Sequence, residues 1–186
     1  MSPASIVLTP LACADVDDIL TWVNDDAVVG NLASFAGAPL TRDDELAWIQ
    51  RTLASTTDCV CSIRAADDGR YLGQIGIHQI HARSRVGRLA VVVARRAEMG
   101  RGVGSAAIRA MLDRAFAATD AGGLGLHKVW LMVFASNTRS LGIYRRLGFV
   151  DEGIMRQEYV HAGAWHDMAR LSVLASEWPP PGADAR

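Results

Sequence analysis

The chain has 186 residues, half of them apolar and 21% charged, which fits one folded domain and excludes a disordered chain. Its longest apolar run, Val129 to Ala135, is too short to span a bilayer, no Lys or Arg precedes Arg42 as a secretory n-region would need, and three cysteines suit neither a disulfide scaffold nor a four-ligand zinc site; a reduced, cytoplasmic protein with no membrane partner and no metal is expected. The net charge of −1 hides a split: residues 1–70 hold eleven acids and four bases, residues 71–186 nine acids and fifteen bases, so an anion would favour the second part and a cation the first.

Residues 6–8 read as a short strand ending at Pro10. Val16, Ile19, Leu20 and Val23 recur at helical spacing behind several Asp, which suit a helix start. Residues 25–40 read as a loop punctuated by Gly30, Gly37 and Pro39. Thr41 and Asp44 then form a capping-box pattern ahead of a stripe of Leu46, Ile49 and Leu53. The period changes to two at Cys59, Cys61, Ile63 and Ala65, a strand, and Asp67-Asp68-Gly69 is a hairpin turn. Residues 71–80 and 86–94 complete an antiparallel meander.

Charge and glycine interrupt the pattern over 95–104, and Ile108, Met111, Leu112, Ala115 and Phe116 mark a helix. Residues 129–134, apolar on both faces, suit a central strand. A short helix through Leu141, Tyr144 and Leu147 stops at Gly148, and residues 149–161 and 165–174 form a final hairpin about Gly163. The expected architecture is a single α/β (α+β) domain over 1–178. It has a mixed sheet of about seven strands flanked by about four helices, followed by a Pro-rich tail at 179–186 without secondary structure.

Two segments carry chemistry. Gly100-Arg101-Gly102-Val103-Gly104-Ser105 lies between a strand and a helix. Glycines there allow close backbone approach, and the free N–H groups of a helix start favour a phosphate; Arg101 adds a charge. The alternative is a glycine-rich turn with no ligand. Gly102-x-Gly104-x-x-Ala107 also matches a loose dinucleotide fingerprint, although the preceding meander is not the repeating βαβ context of that motif. The second segment, Asn137-x-x-Ser140-x-x-x-Tyr144-x-x-Leu147-Gly148-Phe149, aligns an amide, a hydroxyl and a phenol on one helix face. An N-cap role for Asn137 and a core role for the Tyr144 ring are the plain alternatives.

In this order and spacing the two segments resemble the GNAT superfamily of acetyl-CoA-dependent N-acetyltransferases. The first is similar to its pyrophosphate loop, R/Q-x-x-G-x-G/A, with Met99 in the Arg/Gln position. The second is similar to its N…Y-x-x-L-G-F signature. Glu152-Gly153-Ile154-Met155-Arg156 with Gly163, Asp167 and Met168 resembles the branch of ribosomal-protein N-terminal and spermidine acetyltransferases.

The resemblance implies attack of a primary amine on the thioester of acetyl-CoA. It implies a pantetheine arm held by the backbone of Val91, Val92 and Val93, with an N–H there polarising the carbonyl, and phosphates held by Met99, Gly100, Arg101, Gly102, Val103, Gly104 and Ser105. Asn137, Ser140 and Tyr144 line the cofactor, with Tyr144 as general acid. The Glu that often serves as base in the family falls on Arg88 or Leu89, neither able to accept a proton; His78 becomes the candidate base, with His81, His127 and His166 weaker and a water chain as the alternative. Asp25, Asp26, Asp43, Asp44 and Glu45 either attract a cationic amine or serve helix starts. A homodimer fits the sheet edge of the hairpin, and nucleic acid is not an expected partner, for no basic run with interleaved aromatics occurs. Two rivals stay open: a CoA-binding regulatory module without catalysis, and a nucleotide-dependent oxidoreductase.

Overall fold

Period-two alternation sorts the strand side chains onto two faces of one sheet, and each face is closed by its own helices. The computed structural model describes residues 5–30, 39–161 and 163–179. The strands are β1 (Ile6–Pro10), β2 (Cys59–Ala65), β3 (Tyr71–His81), β4 (Val86–Val93), β5 (Lys128–Phe134), β6 (Val150–His161) and β7 (Ala164–Leu174), in the order β1-β2-β3-β4-β5-β7-β6. Every neighbouring pair is antiparallel except β4 and β5.

On one face Cys61, Ile63, Ile75, Ile77, Leu89, Val129, Leu131 and Leu171 pack against Ile108, Met111 and Leu112 of one long helix and Leu141 of a shorter one. On the other, Val60, Tyr71 and Ala94 meet Val16, Ile19, Trp22, Val28 and Ile49. The helices are α1 (Val16–Val23), α2 (Asp26–Val29), α3 (Arg42–Ala54), α4 (Val103–Phe116) and α5 (Thr138–Arg146). Met111 and Leu112 have no exposed surface; truncating either to Ala costs about 2–5 kcal/mol.

Local chemistry explains the ends. The Thr41 hydroxyl accepts from Asp44 N–H and the Asp44 carboxylate accepts from Thr41 N–H at 2.8 Å, the capping box expected. Pro10 remains in β1, an edge strand bonded only to β2, where a missing N–H is tolerated. The loop reading of 25–40 needs correction. Asp25 accepts from Ala27 N–H at 2.9 Å and starts the single turn of α2, which buries Val28 and Val29, so the helices number five among the described residues rather than four. Residues 31–38 of that reading, and the proposed tail past Pro179, lie outside the described residues.

One irregularity positions the site. β4 pairs with β3 as far as Val93, but with β5 only from Val86–Arg88 to Lys128–Trp130. Past Arg88 the two parallel strands part, and β4 has no strand partner on its β5 side.

Candidate functional site

The opening between β4 and β5 is bordered by the segments that follow each strand. After β4, Gly100 and Gly102 adopt φ of 84° and 89°, the left-handed region in which only glycine is unstrained. Gly102 is the N-cap of α4 and has no side chain to occupy the first turn, which leaves its N–H groups free for a ligand. After β5, Asn137 starts α5, its carboxamide oxygen accepting from Ser140 N–H at 3.1 Å. The two borders meet: Arg139 Nη2 stands 2.8 Å from the place a Cβ on Gly100 would take. A guanidinium on a left-handed glycine beside a helix N-terminus is a setting for phosphate. Arg101, exposed, lies 3.6 Å from Glu98, which also holds Arg70 at 2.8 Å. Met99 is exposed.

Tyr144 sits on α5, half-buried against the α4 core, its ring edge-on to Phe149 at 5.8 Å. Burial pushes the phenol up to about 12, so it holds its proton at neutral pH.

On the opposite face, β3 places His78 across from Arg88 of β4, and Arg88 lies across from Trp130 of β5. His78 Nδ1 is 2.9 Å from Asp58 Oδ1. Asp58 is itself held by the hydroxyls of Ser55 (2.5 Å) and Thr57 (3.3 Å). Burial would raise the Asp58 carboxyl, but the bonds from Ser55 and His78 outweigh it and leave its pKa lowered. For His78, burial lowers the pKa, the Asp58 bond opposes that, and the Arg88 charge adds to the lowering. A neutral imidazole bonded through Nδ1–H to a carboxylate keeps Nε2 as an acceptor. Nε2 leans over Gly76, where it would stand 2.9 Å from an added Cβ, and Gly76 is opposite Ala90, just past the point where β4 leaves β5.

The other sequence candidates separate from this cluster. His81 accepts from Ser84 N–H in the β3–β4 hairpin. His166 packs on Phe134 at 5.3 Å, and His127 continues the strand pairing at the start of β5. Of the acids, Asp25 and Asp44 serve as helix caps, and Glu45 is buried, its pKa raised chiefly by desolvation. Two residues beyond the sequence reading join the site, Asp58 and Arg139. Neither pairing is local: Asp58 is found by strand register, Arg139 by the contact of α5 with the glycine loop.

Over residues 5–150 the chain matches the family model described as an acetyltransferase (GNAT) domain. It is 30% identical over 111 residues to YdaF of Bacillus subtilis, which bears the name "putative ribosomal N-acetyltransferase", covering 60% of this chain and 57% of that protein. It is 27% identical over 107 residues to the spermidine N(1)-acetyltransferase of Vibrio cholerae, covering 58% of each. The chain thus aligns with somewhat over half the length of these relatives. The crystal structure of the Vibrio cholerae spermidine N-acetyltransferase with CoA and spermine superposes with a TM-score of 0.83 at 21% identity, covering 93% of this chain and 97% of that one.

Proposed function

Because the chain belongs to the acetyltransferase (GNAT) family, we propose that it transfers acetyl from acetyl-CoA to a primary amine of a small molecule or protein amino terminus. The observation that carries this is the parting of β4 from β5 beside the left-handed glycines at the start of α4. An unpaired strand edge takes an extended amide-bearing chain, and the glycine loop with Arg139 takes phosphates; the residues present therefore fit coenzyme A. Bound there, acetyl-CoA supplies an activated acyl thioester.

The chain's own groups then divide the work. Val91, Val92 and Val93 offer backbone bonds along the opening, and an N–H among them donates to the acyl oxygen, where negative charge develops. Gly100–Ser105, Arg101 and Arg139 hold the phosphates, while Asn137 and Ser140 border the arm. His78 Nε2 takes the proton of the amine, held in place by Asp58. Tyr144 O–H donates to the departing sulfur. Both relatives are named as N-acetyltransferases, one of them for spermidine, which supports an amine as acceptor.

No helix among the described residues is long and apolar enough to cross a membrane. We read the protein as a cytoplasmic homodimer: its cysteines are free, and the β6–β7 hairpin exposes Val150, Ile154, Val160 and Trp165 at the sheet edge.

Thermal melting tests the cofactor. Acetyl-CoA should raise Tm and NADH should not; with an amine panel, free thiol should be released. A shift with NADH alone supports an oxidoreductase, and an acetyl-CoA shift without thiol release from any amine supports a regulatory module.

A further inference from the structure

The face that carries His78 is short of negative charge. Arg88 is one of the two residues, with Leu89, on which the expected carboxylate base falls, and it is the one on this face. Its Nε is buried without a hydrogen-bond partner, and among the described residues its guanidinium forms no ion pair. Arg88 is half-buried, and a guanidinium partly withdrawn from water is ordinarily hydrogen-bonded. Asp58, beside His78, is already bonded to it. Farther along the face, Lys128 and Arg170 share the single carboxylate of Glu152, which also accepts from Ser172, and Arg170 covers the Trp130 ring at 4.2 Å. Lys128 and Arg170 thus divide the Glu152 carboxylate, and Arg88 has no ion-pair partner among the described residues.

We propose that Arg88 binds a carboxylate of the acceptor, and that the acceptor is an amine with its own carboxylate two or three bonds away. This rests on His78 as the base at the β4–β5 opening. Directly opposed residues on antiparallel strands place their Cβ atoms about 4.5–5.5 Å apart, and the proposed ligand spans the two side chains with an amine at His78 Nε2 and a neighbouring anion at Arg88. The α-amino acids do so through the α-carboxylate, and a peptide beginning with Asp does so through its β-carboxylate. Guanidinium and carboxylate form two parallel bonds, here through the Arg88 Nη groups, since Nε itself is buried. A polyamine has no anion to offer and brings further positive charge toward Arg88, Lys128 and Arg170.

The experiment compares α-amino acids, the corresponding amides, an Asp-initiated dipeptide amide and spermidine, by thiol release at fixed acetyl-CoA, in the parent and in Arg88→Gln. The parent should prefer an amine with an adjacent carboxylate over its amide by at least about tenfold in kcat/KM, the effect of a charge-assisted bond, and the preference should shrink to within about twofold in Arg88→Gln. The free amino acids and the Asp peptide tell the two sources apart. Equal rates for acid and amide, a preference for spermidine, or a preference surviving Arg88→Gln overturns the proposal. A second arm does not need turnover: with CoA present, the N-acetyl amino acid should raise Tm of the parent more than its methyl ester does, and Arg88→Gln should erase the difference. If that shift appears while no amine releases thiol, the carboxylate site stands and the transfer reaction falls; if the shift is absent as well, the site falls.

Discussion

Gly76 is the smallest part of the proposed base and gives its sharpest test. A Cβ at this position would lie 2.9 Å from His78 Nε2, 2.9 Å from Val60 Cγ2 and 3.3 Å from the Cys59 carbonyl. Gly76 is absent from the positive-φ glycines, so Gly76→Ala acts through crowding and not through backbone strain. Two of the three neighbours are boxed in: Val60 is buried and the carbonyl belongs to β2, so the imidazole is the group that yields. It cannot yield without lengthening its 2.9 Å bond to Asp58. A hydrogen bond to a charged group is worth about 1.5–3 kcal/mol, which corresponds to a fall in kcat of about 10–150-fold. Overpacking adds a stability loss of about 1–3 kcal/mol, read separately by urea unfolding. Thiol release at saturating acetyl-CoA is measured for Gly76→Ala, His78→Ala and the double variant. If the methyl acts by moving the imidazole, the double variant matches His78→Ala within about twofold, because coupled sites are not additive. Losses that multiply would refute the reasoning, since they would show that Gly76 matters for something other than His78.

Three further outcomes follow from the same geometry. In the parent, the acid limb of kcat/KM lies below pH 6.5, since burial lowers the His78 pKa; Asp58→Asn removes the carboxylate that raises it, so the limb moves to still lower pH in a pH–rate profile. Tyr144→Phe lowers kcat by about 10²-fold or more with an unchanged acetyl-CoA melting shift, and because burial pushes that phenol up to about 12, any alkaline limb between pH 8 and 10 must persist in the variant. Arg139→Ala raises the KM for acetyl-CoA about tenfold and makes it less sensitive to salt, with the amine KM unmoved, since its guanidinium meets the glycine loop and not the acceptor face.

What was legible in the sequence was local. The capping box of Thr41 and Asp44, the strand alternation from Cys59, the glycines before α4 and the Asn137 cap all depend on residues within a turn of each other, and each formed as read. The single turn of α2 escaped because four residues carry almost no periodicity; its one signal was Asp25. The base position was ambiguous between Arg88 and Leu89 for the reason that a one-residue slip in a strand exchanges its faces. The register shows the two faces: Leu89 is buried in the α4 core, and Arg88 shares a face with His78. The Asp58–His78 pair and the Arg139–Gly100 contact join segments 20 and 39 residues apart in number, and only the assembled sheet brings them together.

The uneven charge of the chain takes on a different meaning once its partners are known. Five of the eleven acids in the first part have structural work. Asp15, nearly fully buried, holds Ser62 and Arg64; Asp17 holds Arg42; Asp25 and Asp44 cap helices; Asp58 holds His78. A carboxylate already bonded to an internal cation or to a helix N-terminus has little field left to attract a second cation through solvent. The bases of the second part are less fully matched. Arg139 lies against the glycine loop at Gly100, Lys128 and Arg170 divide one acid, and Arg88 has none among the described residues. Positive charge therefore remains at both ends of the β4–β5 opening, at the loop where a phosphate fits and on the face where the amine would arrive. If the proposed site holds, the same excess that would suit the cofactor would disfavour a polycation as acceptor and favour an amine that brings an anion of its own.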